Sequence, residues 1–182
     1  IEALKVFYAD DIVNYSSLFL GEHDALNAPG DLIIHAVQKA MDGFGFKNSF
    51  MRDSYLFMFG SVDSFLDKSE DFFGALNNLG CLSYINIGLE SADQTTLDSI
   101  GKPVTVGKVK KAFEKIKMAN SKMNNIEITS NFVTGENLSE DHYASFLALA
   151  RDGFERPRPK GSVYLSSLEF GKPSKEKVFD FN

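Results

Sequence analysis

Two hydrophobic periods alternate along this chain. Short runs of β-favouring residues are followed by longer stretches whose apolar positions recur at helical spacing. Residues 2–9 read as the end of a helix, and residues 15–20 (YSSLFL) as a strand that ends in a polar burst, Gly21, Glu22, His23 and Asp24. Asn27, Pro29, Gly30 and Asp31 mark a turn and a helix start. Leu32, Ile33, Ala36, Val37, Ala40 and Met41 give that helix one apolar stripe, stopped by Gly43 and Gly45. Residues 55–59 (YLFMF) form an unbroken apolar run, the pattern of a strand buried on both faces. Ser61 is an N-cap for a helix carrying Val62, Phe65, Leu66, Phe72, Phe73, Leu76 and Leu79, interrupted at Ser69 and closed by Gly80.

Residues 82–89 form the next strand and run into a charged end, Glu90 and Ser91. Asp93 opens a short helix that Gly101 closes, and Thr105 opens a second after the break at Lys102 and Pro103. Val106, Val109, Phe113, Ile116 and Met123 make its buried face, and Lys108, Lys110, Lys111, Lys115 and Lys117 read as a solvated one. Residues 126–133 are another strand. Ser139 caps a helix with Glu140 and Asp141 in its first turn and Tyr143, Phe146, Leu147 and Ala150 as its buried stripe. Residues 156–161 (RPRPKG) are a stiff loop, and residues 162–168 a last strand. The pattern therefore predicts an α/β fold of five parallel strands with helical crossovers, one domain over residues 1–170 and a poorly ordered tail over 171–182. Five strands are too few for a closed eight-stranded barrel, so an open curved sheet or partial (β/α) barrel is expected.

Composition narrows the function classes. The 182 residues are 43% hydrophobic, enough for a real core, and the formal net charge of −6 disfavours sequence-independent binding to nucleic acid. Cys81 is the one cysteine, so no intrachain disulfide forms. No apolar run is long enough to span a membrane and no signal peptide is visible, so a cytoplasmic protein is expected. The sequence begins at Ile1, inside what reads as a helix, which suggests a piece of a longer protein.

Parallel strands share one carboxyl edge, and in such folds ligands sit there. Here that edge collects residues 21–24, 60–61, 90–91, 131–136 and 166–167, with carboxylates at Glu22, Asp24, Glu90 and Glu136. A pocket built from them is acidic with apolar walls, which suits a small cationic ligand. No glycine-rich phosphate loop is present, so a nucleoside triphosphate is disfavoured. Glu90, a carboxylate at the end of an apolar strand, is either a ligand group or a cap on a neighbouring turn. His23 is either a metal ligand or a lone exposed histidine; His35 and His142 read as solvated helix positions, and Cys81 as a small buried hydrophobe.

Residues 86–105 (NIGLESADQTTLDSIGKPVT) resemble the fourth-strand signature of radical S-adenosylmethionine enzymes, in the group containing the tRNA methylthiotransferases and the Elongator-type proteins. Residues 18–26 (LFLGEHDAL) resemble that group's second-strand motif, residues 128–141 (ITSNFVTGENLSED) its fifth, and residues 163–166 (VYLS) its sixth. The resemblance implies a six-unit partial barrel that lacks its first strand here and binds S-adenosylmethionine at the carboxyl edge. It also implies a [4Fe–4S] cluster, held by three cysteines preceding Ile1, that reductively cleaves the sulfonium to a 5′-deoxyadenosyl radical. It implies that Glu22 or Asp24 meets the ammonium, with Gly21 beside them in the cofactor site, and that Glu90 and Ser91 meet ribose hydroxyls or the charged end. Asn131 would meet the ribose, and Phe132, Val133 and Gly135 would flank the purine, with Ser166 at the rim. A turn, a cap or ordinary core is the alternative for each.

The chain departs from the family pattern. The cysteine triplet is missing, Leu20-Gly21-Glu22 stands for Gly-Gly-Glu, and the fifth-strand motif loses its first glycine (Asn131) and last glutamate (Leu138). This chain alone is thus expected not to hold the cluster, not to perform the chemistry, and to bind S-adenosylmethionine weakly or not at all. Two other readings stand beside this one. A metal-dependent hydrolase on a related barrel would use Glu22, His23, Asp24, Glu90 and Glu136 as ligands. A non-catalytic interaction domain would have its carboxyl edge occluded. The substrate is not readable.

Overall fold

A computed structural model of the chain describes residues 1–135, 138–151 and 163–167. Among the described residues the α-helices and strands follow one another as α1 (Glu2–Tyr8), β1 (Ser17–Leu20), α2 (Gly30–Phe44), β2 (Tyr55–Gly60), α3 (Val62–Asp67), α4 (Glu70–Asn77), β3 (Leu82–Glu90), α5 (Gln94–Ser99), α6 (Val106–Lys122), β4 (Ile126–Thr134), α7 (Glu140–Arg151) and β5 (Val163–Ser167). All five strands are parallel and lie in one sheet in the order β1-β2-β3-β4-β5. The order never reverses. Crossovers of one hand therefore collect the helices on a single face, the layout of a partial (β/α) barrel rather than a doubly wound sheet. The expected α/β fold with five parallel strands is found. The stiff loop and the tail of the sequence reading lie outside the described residues.

One face of the sheet is the core. Leu56, Met58, Ile85, Ile87, Leu89, Ile126, Ile128 and Phe132 point into it and meet Ile33 and Val37 of α2, Phe65 of α3, Phe73 and Leu76 of α4, Phe113 and Ile116 of α6 and Leu149 of α7. The other face is open. Phe19, Phe57 and Phe59 stand on it, more than a third exposed, and Phe57 stacks on Tyr84 with ring centroids 5.4 Å apart. The run at 55–59 is thus buried on one face only. Its alternation is hidden because the open face is also apolar.

The helix starts are written in the local sequence. Ser61, Ser69, Asp93 and Thr105 each accept a hydrogen bond from a backbone N–H in the first turn of the following helix. Ser69 does more than interrupt a helix: it caps a second one, so the stretch from Ser61 to Leu79 holds α3 and α4. Gly45, at φ 67°, ends α2, and Gly43 lies within that helix.

Three further expectations about faces fail. Leu32 is 55% exposed, off the buried stripe of α2. Lys115 is not solvated: its ammonium donates to the carbonyls of Phe65 (2.8 Å), Leu66 (3.0 Å) and Lys68 (2.6 Å), closing the carboxyl end of α3. Burial there pushes its pKa down. The buried stripe of α7 is also out of phase. Tyr143 and Leu147 are exposed, and His142, read as solvated, is 1% exposed.

Candidate functional site

The strand β3 decides the site. Its alternation puts Ile85, Ile87 and Leu89 into the core and Tyr84, Asn86 and Gly88 on the open face. Strict alternation would then aim Glu90 at the open face and Ser91 at the core, but the ladder with β4 slips between Gly88 and Glu90. Glu90 sits at φ 62°, a left-handed conformation that a residue with a Cβ adopts at a cost. The effect is to fold the carboxylate back. Glu90 Oε1 lies 2.5 Å from where a Cβ on Gly88 would stand, and Lys102 Nζ lies 3.1 Å from the same point. Lys102 and Glu90 pair at 3.1 Å, both partly shielded. The absent side chain of Gly88 is therefore the space this ion pair occupies.

Across the strand from Gly88 is Asn131, and across from Asn86 is Thr129. Asn86 Nδ2 donates to Thr129 Oγ1 (2.8 Å) and to Asn131 Oδ1 (3.2 Å). A polar strip thus runs along the β3–β4 seam: Thr129, Asn86, Asn131, then Glu90 and Lys102. Ser166 of β5 lies opposite Val133, one strand further on, and its carbonyl accepts from Thr134 Oγ1 at 3.5 Å. The aromatic positions of β1 and β2 flank the strip on the other side. Acidic groups reach this face too: burial first, then the charge of Glu127, pushes the Tyr84 hydroxyl up.

Ser91 sits on the other side of the same turn. It is fully buried, and its Oγ meets His142 Nδ1 at 2.8 Å and accepts from the Asp93 N–H at 3.0 Å. His142 Nε2 meets the Val133 carbonyl at 2.9 Å. A carbonyl only accepts, so Nε2 carries the hydrogen and Nδ1 accepts from the serine hydroxyl. With both nitrogens engaged and no solvent access, this Ser–His contact is a staple joining β3, β4 and α7. It is not a nucleophile and base. Phe132 is likewise turned to the helix side, 1% exposed, with its ring 5.0 Å from Phe146. Ser91 and Phe132 therefore stand behind the edge where the sequence reading placed them as ligand groups. Alternation along β3 and β4 is the reason: continued one residue past Glu90 it turns Ser91 to the core, and on β4 it turns Phe132 the same way.

The remaining candidates share the carboxyl edge but not the seam. Gly21, at φ 72°, turns the chain after β1, and Glu22 and His23 are exposed beyond it. Asp24 Oδ1 accepts from the Ser64 hydroxyl (2.6 Å) and the Ser61 N–H (3.1 Å), which ties it to the start of α3. Burial alone would raise its pKa; the bonds from Ser64 and Ser61 outweigh that and hold the carboxyl below its usual range. Gly135 is bridged by the Tyr143 hydroxyl, which donates to its carbonyl at 2.7 Å. Glu22, Glu90 and Gly135 lie on one edge, at the ends of β1, β3 and β4. From β1 to β4 is three strand steps, roughly 14 Å. The structure brings Glu90, Asn131 and Ser166 onto neighbouring strands and leaves Gly21, Glu22 and Asp24 two strands from Glu90. Sequence reading missed Lys102 and Asn86. Lys102 was passed over as a helix breaker's neighbour, and the alternation of β3 was the signal that put Asn86 on the same face as Gly88.

The cluster implied by the resemblance does not fit these residues. Cys81 is buried at the amino end of β3, the wrong edge, and burial pushes its thiol pKa up. Among the described residues no three of His, Cys, Asp or Glu gather closely enough to hold a metal ion, so Glu22, His23, Asp24 and Glu90 make no such centre; Glu136 lies outside them. The seam offers an anion, a cation and two amide groups within a few residues. A cleft of about 400 Å³ opens at the opposite edge, lined among others by Lys47, Arg52, Asp53 and Asn125, away from the carboxyl edge where ligands of parallel sheets sit. Among the described residues no helix is long and apolar enough to cross a membrane.

No protein-family model matches the sequence, and no curated protein does. Among solved structures, the chain is similar to the cobalamin-dependent S-adenosylmethionine radical enzyme OxsB with aqua-cobalamin bound. The TM-score is 0.47 and the identity 14%, over 91% of this chain and 22% of that one. The selenomethionine-labelled apo form gives 0.46 and 14% over 90% and 22%, and the form with aqua-cobalamin and S-adenosylmethionine gives 0.46 and 14% over 91% and 22%. The chain thus spans about a fifth of the length of those structures. At that identity and TM-score the likeness carries no residue role and no activity across.

Proposed function

We propose that this chain is the later part of a radical S-adenosylmethionine barrel and binds S-adenosylmethionine along the carboxyl edge of β3 and β4. The observation that carries the reading is the Glu90–Lys102 pair, folded over Gly88 onto the open face beside Asn131. A zwitterionic amino-acid end needs one group of each sign; the pair supplies both, and Asn131 stands where a ribose or base edge would follow. Glu22, Gly135 and Ser166 complete the rim. The motif at residues 86–105 favours the group of tRNA methylthiotransferases and Elongator-type proteins. In a longer protein with three cluster cysteines, reductive cleavage of the sulfonium would be the activity. This chain has no ligands for that cluster, so binding alone is ascribed to it.

Titrating the isotope-labelled chain with S-adenosylmethionine tests this by NMR. Binding in the millimolar range, about −4 kcal/mol, is expected, with shifts confined to Gly88, Glu90, Asn131 and Gly135. Lys102→Ala should weaken it about tenfold. Shifts that are absent at millimolar ligand, or that centre on the Lys47–Arg52 cleft, would remove the assignment. Anaerobic reconstitution of the full gene product with iron and sulfide should give cluster absorbance and release 5′-deoxyadenosine.

A further inference from the structure

The amide of Asn131 has two ends, and the structure fixes which one faces outward. Thr129 Oγ1 donates its hydrogen to the Ile85 carbonyl (3.4 Å), so toward Asn86 it can only accept. Asn86 must then present its NH₂ group to Thr129, at 2.8 Å. The second hydrogen of that same NH₂ reaches Asn131 at 3.2 Å, so the Asn131 atom it meets is the oxygen. The Asn131 NH₂ is left without a partner among the described residues, on the open face, next to the space over Gly88. Asn86 and Asn131 are half-buried, so neither amide is free to be turned by bulk water.

We infer that Asn86 is a positioning residue: it locks Asn131 as a hydrogen-bond donor, so the ligand group seated against Asn131 is an acceptor. The chain of orientation starts at the Ile85 carbonyl, a backbone group that cannot reverse. It passes through Thr129 and Asn86 to Asn131. The carboxylamide oxygen of Asn86 is the matching acceptor, one position deeper on β3. Donor and acceptor are therefore presented in a set order along the seam, and a ligand edge with the opposite order is refused, because it would leave both amides unpaired. This inference rests on the proposed binding site for its ligand, but the orientation itself does not.

Side-chain ¹⁵N NMR of the full 182-residue chain separates the two. In the free protein, the Asn131 amide should be ordered, and Asn86→Ala should lower its order parameter below about 0.6. Asn86→Asp, which matches the shape and keeps the fold if alanine does not, should reverse Asn131, since a carboxylate must receive its NH₂. On titration with S-adenosylhomocysteine, one Asn131 Nδ2 hydrogen should move downfield. That shift should vanish in Asn86→Asp, and the titration midpoint should rise about fivefold in Asn86→Ala. Thr129→Val, which removes the acceptor that orients Asn86, should lose part of the shift; a shift untouched by it would overturn the chain of orientation. An Asn131 amide indifferent to Asn86 in the free protein overturns the inference. An amide that responds to Asn86, together with no ligand shift at the carboxyl edge, upholds the orientation and removes the proposed ligand instead.

Discussion

Glu90 and Ser91 are neighbours in the chain and belong to different parts of the molecule. Glu90 is folded onto the open face and paired with Lys102; Ser91 is sealed in the core against His142. Both are polar, and both end the same apolar strand. The difference is the alternation of an extended strand, which sends consecutive residues to opposite faces. It teaches that alternation alone can split a polar motif into a solvent-facing half and a structural half. The half that looks more catalytic, a serine on a histidine, is the structural one. Its hydroxyl and both ring nitrogens already have protein partners, whereas the Glu90 side keeps an amide hydrogen-bond donor and an ion pair within reach of solvent.

The largest test of that division is His142→Ala. It empties a buried site and removes the imidazole that the Ser91 hydroxyl hydrogen and the Val133 carbonyl bond to, so a loss of about 3 kcal/mol in urea unfolding is expected. A loss below about 1 kcal/mol would mean that the staple bears little weight. Next is Lys115→Met, which strips three carbonyls at the end of α3 of their donor. About 2 kcal/mol is expected, with the open-face residues unshifted in NMR spectra.

Asp24→Asn ranks third, at about 1 kcal/mol at neutral pH, through the bonds to Ser61 and Ser64. The sign follows from the lowered carboxyl. The folded protein binds that proton less readily than the unfolded chain, so the stabilisation is present above the unfolded value of 3.8 and is lost as pH falls through the lower folded value. Wild type and variant should therefore converge in acid; a gap independent of pH would mean that the charge is irrelevant. The smallest expected effect on stability is Gly88→Ala, under about 1 kcal/mol, because the atoms in the way are the far ends of two long side chains. It should nevertheless displace the ion pair and weaken S-adenosylmethionine binding about tenfold. If it unfolds the protein instead, Gly88 serves the strand and not the site.

The order of elements and their starts were legible because they depend on neighbouring residues. Ser61, Ser69, Asp93 and Thr105 cap the helices that follow them, and Gly45 and Gly101 turn the chain with positive φ. The shared carboxyl edge followed from strict alternation. Which face a residue takes was less legible. Phe132 and Ser91 were read as ligand groups from the family resemblance and their place at strand ends, although the alternation of β3 and β4 turns both to the core. His142 was read as solvated because only the arrival of Ser91, 51 residues away, gives its ring a buried partner.

Local chemistry along the chain was thus enough to determine that this protein alternates strand and helix in parallel, and at which residues the helices begin. Only tertiary structure decided that Glu90 would meet Lys102 over Gly88, that Asn86 would hold Asn131 by its oxygen, and that Lys115 would be drawn inward to the end of α3. The physical reason is range. A cap or a turn is settled by interactions a few residues apart, whereas a pairing across strands has an energy that exists only once the sheet has set the register.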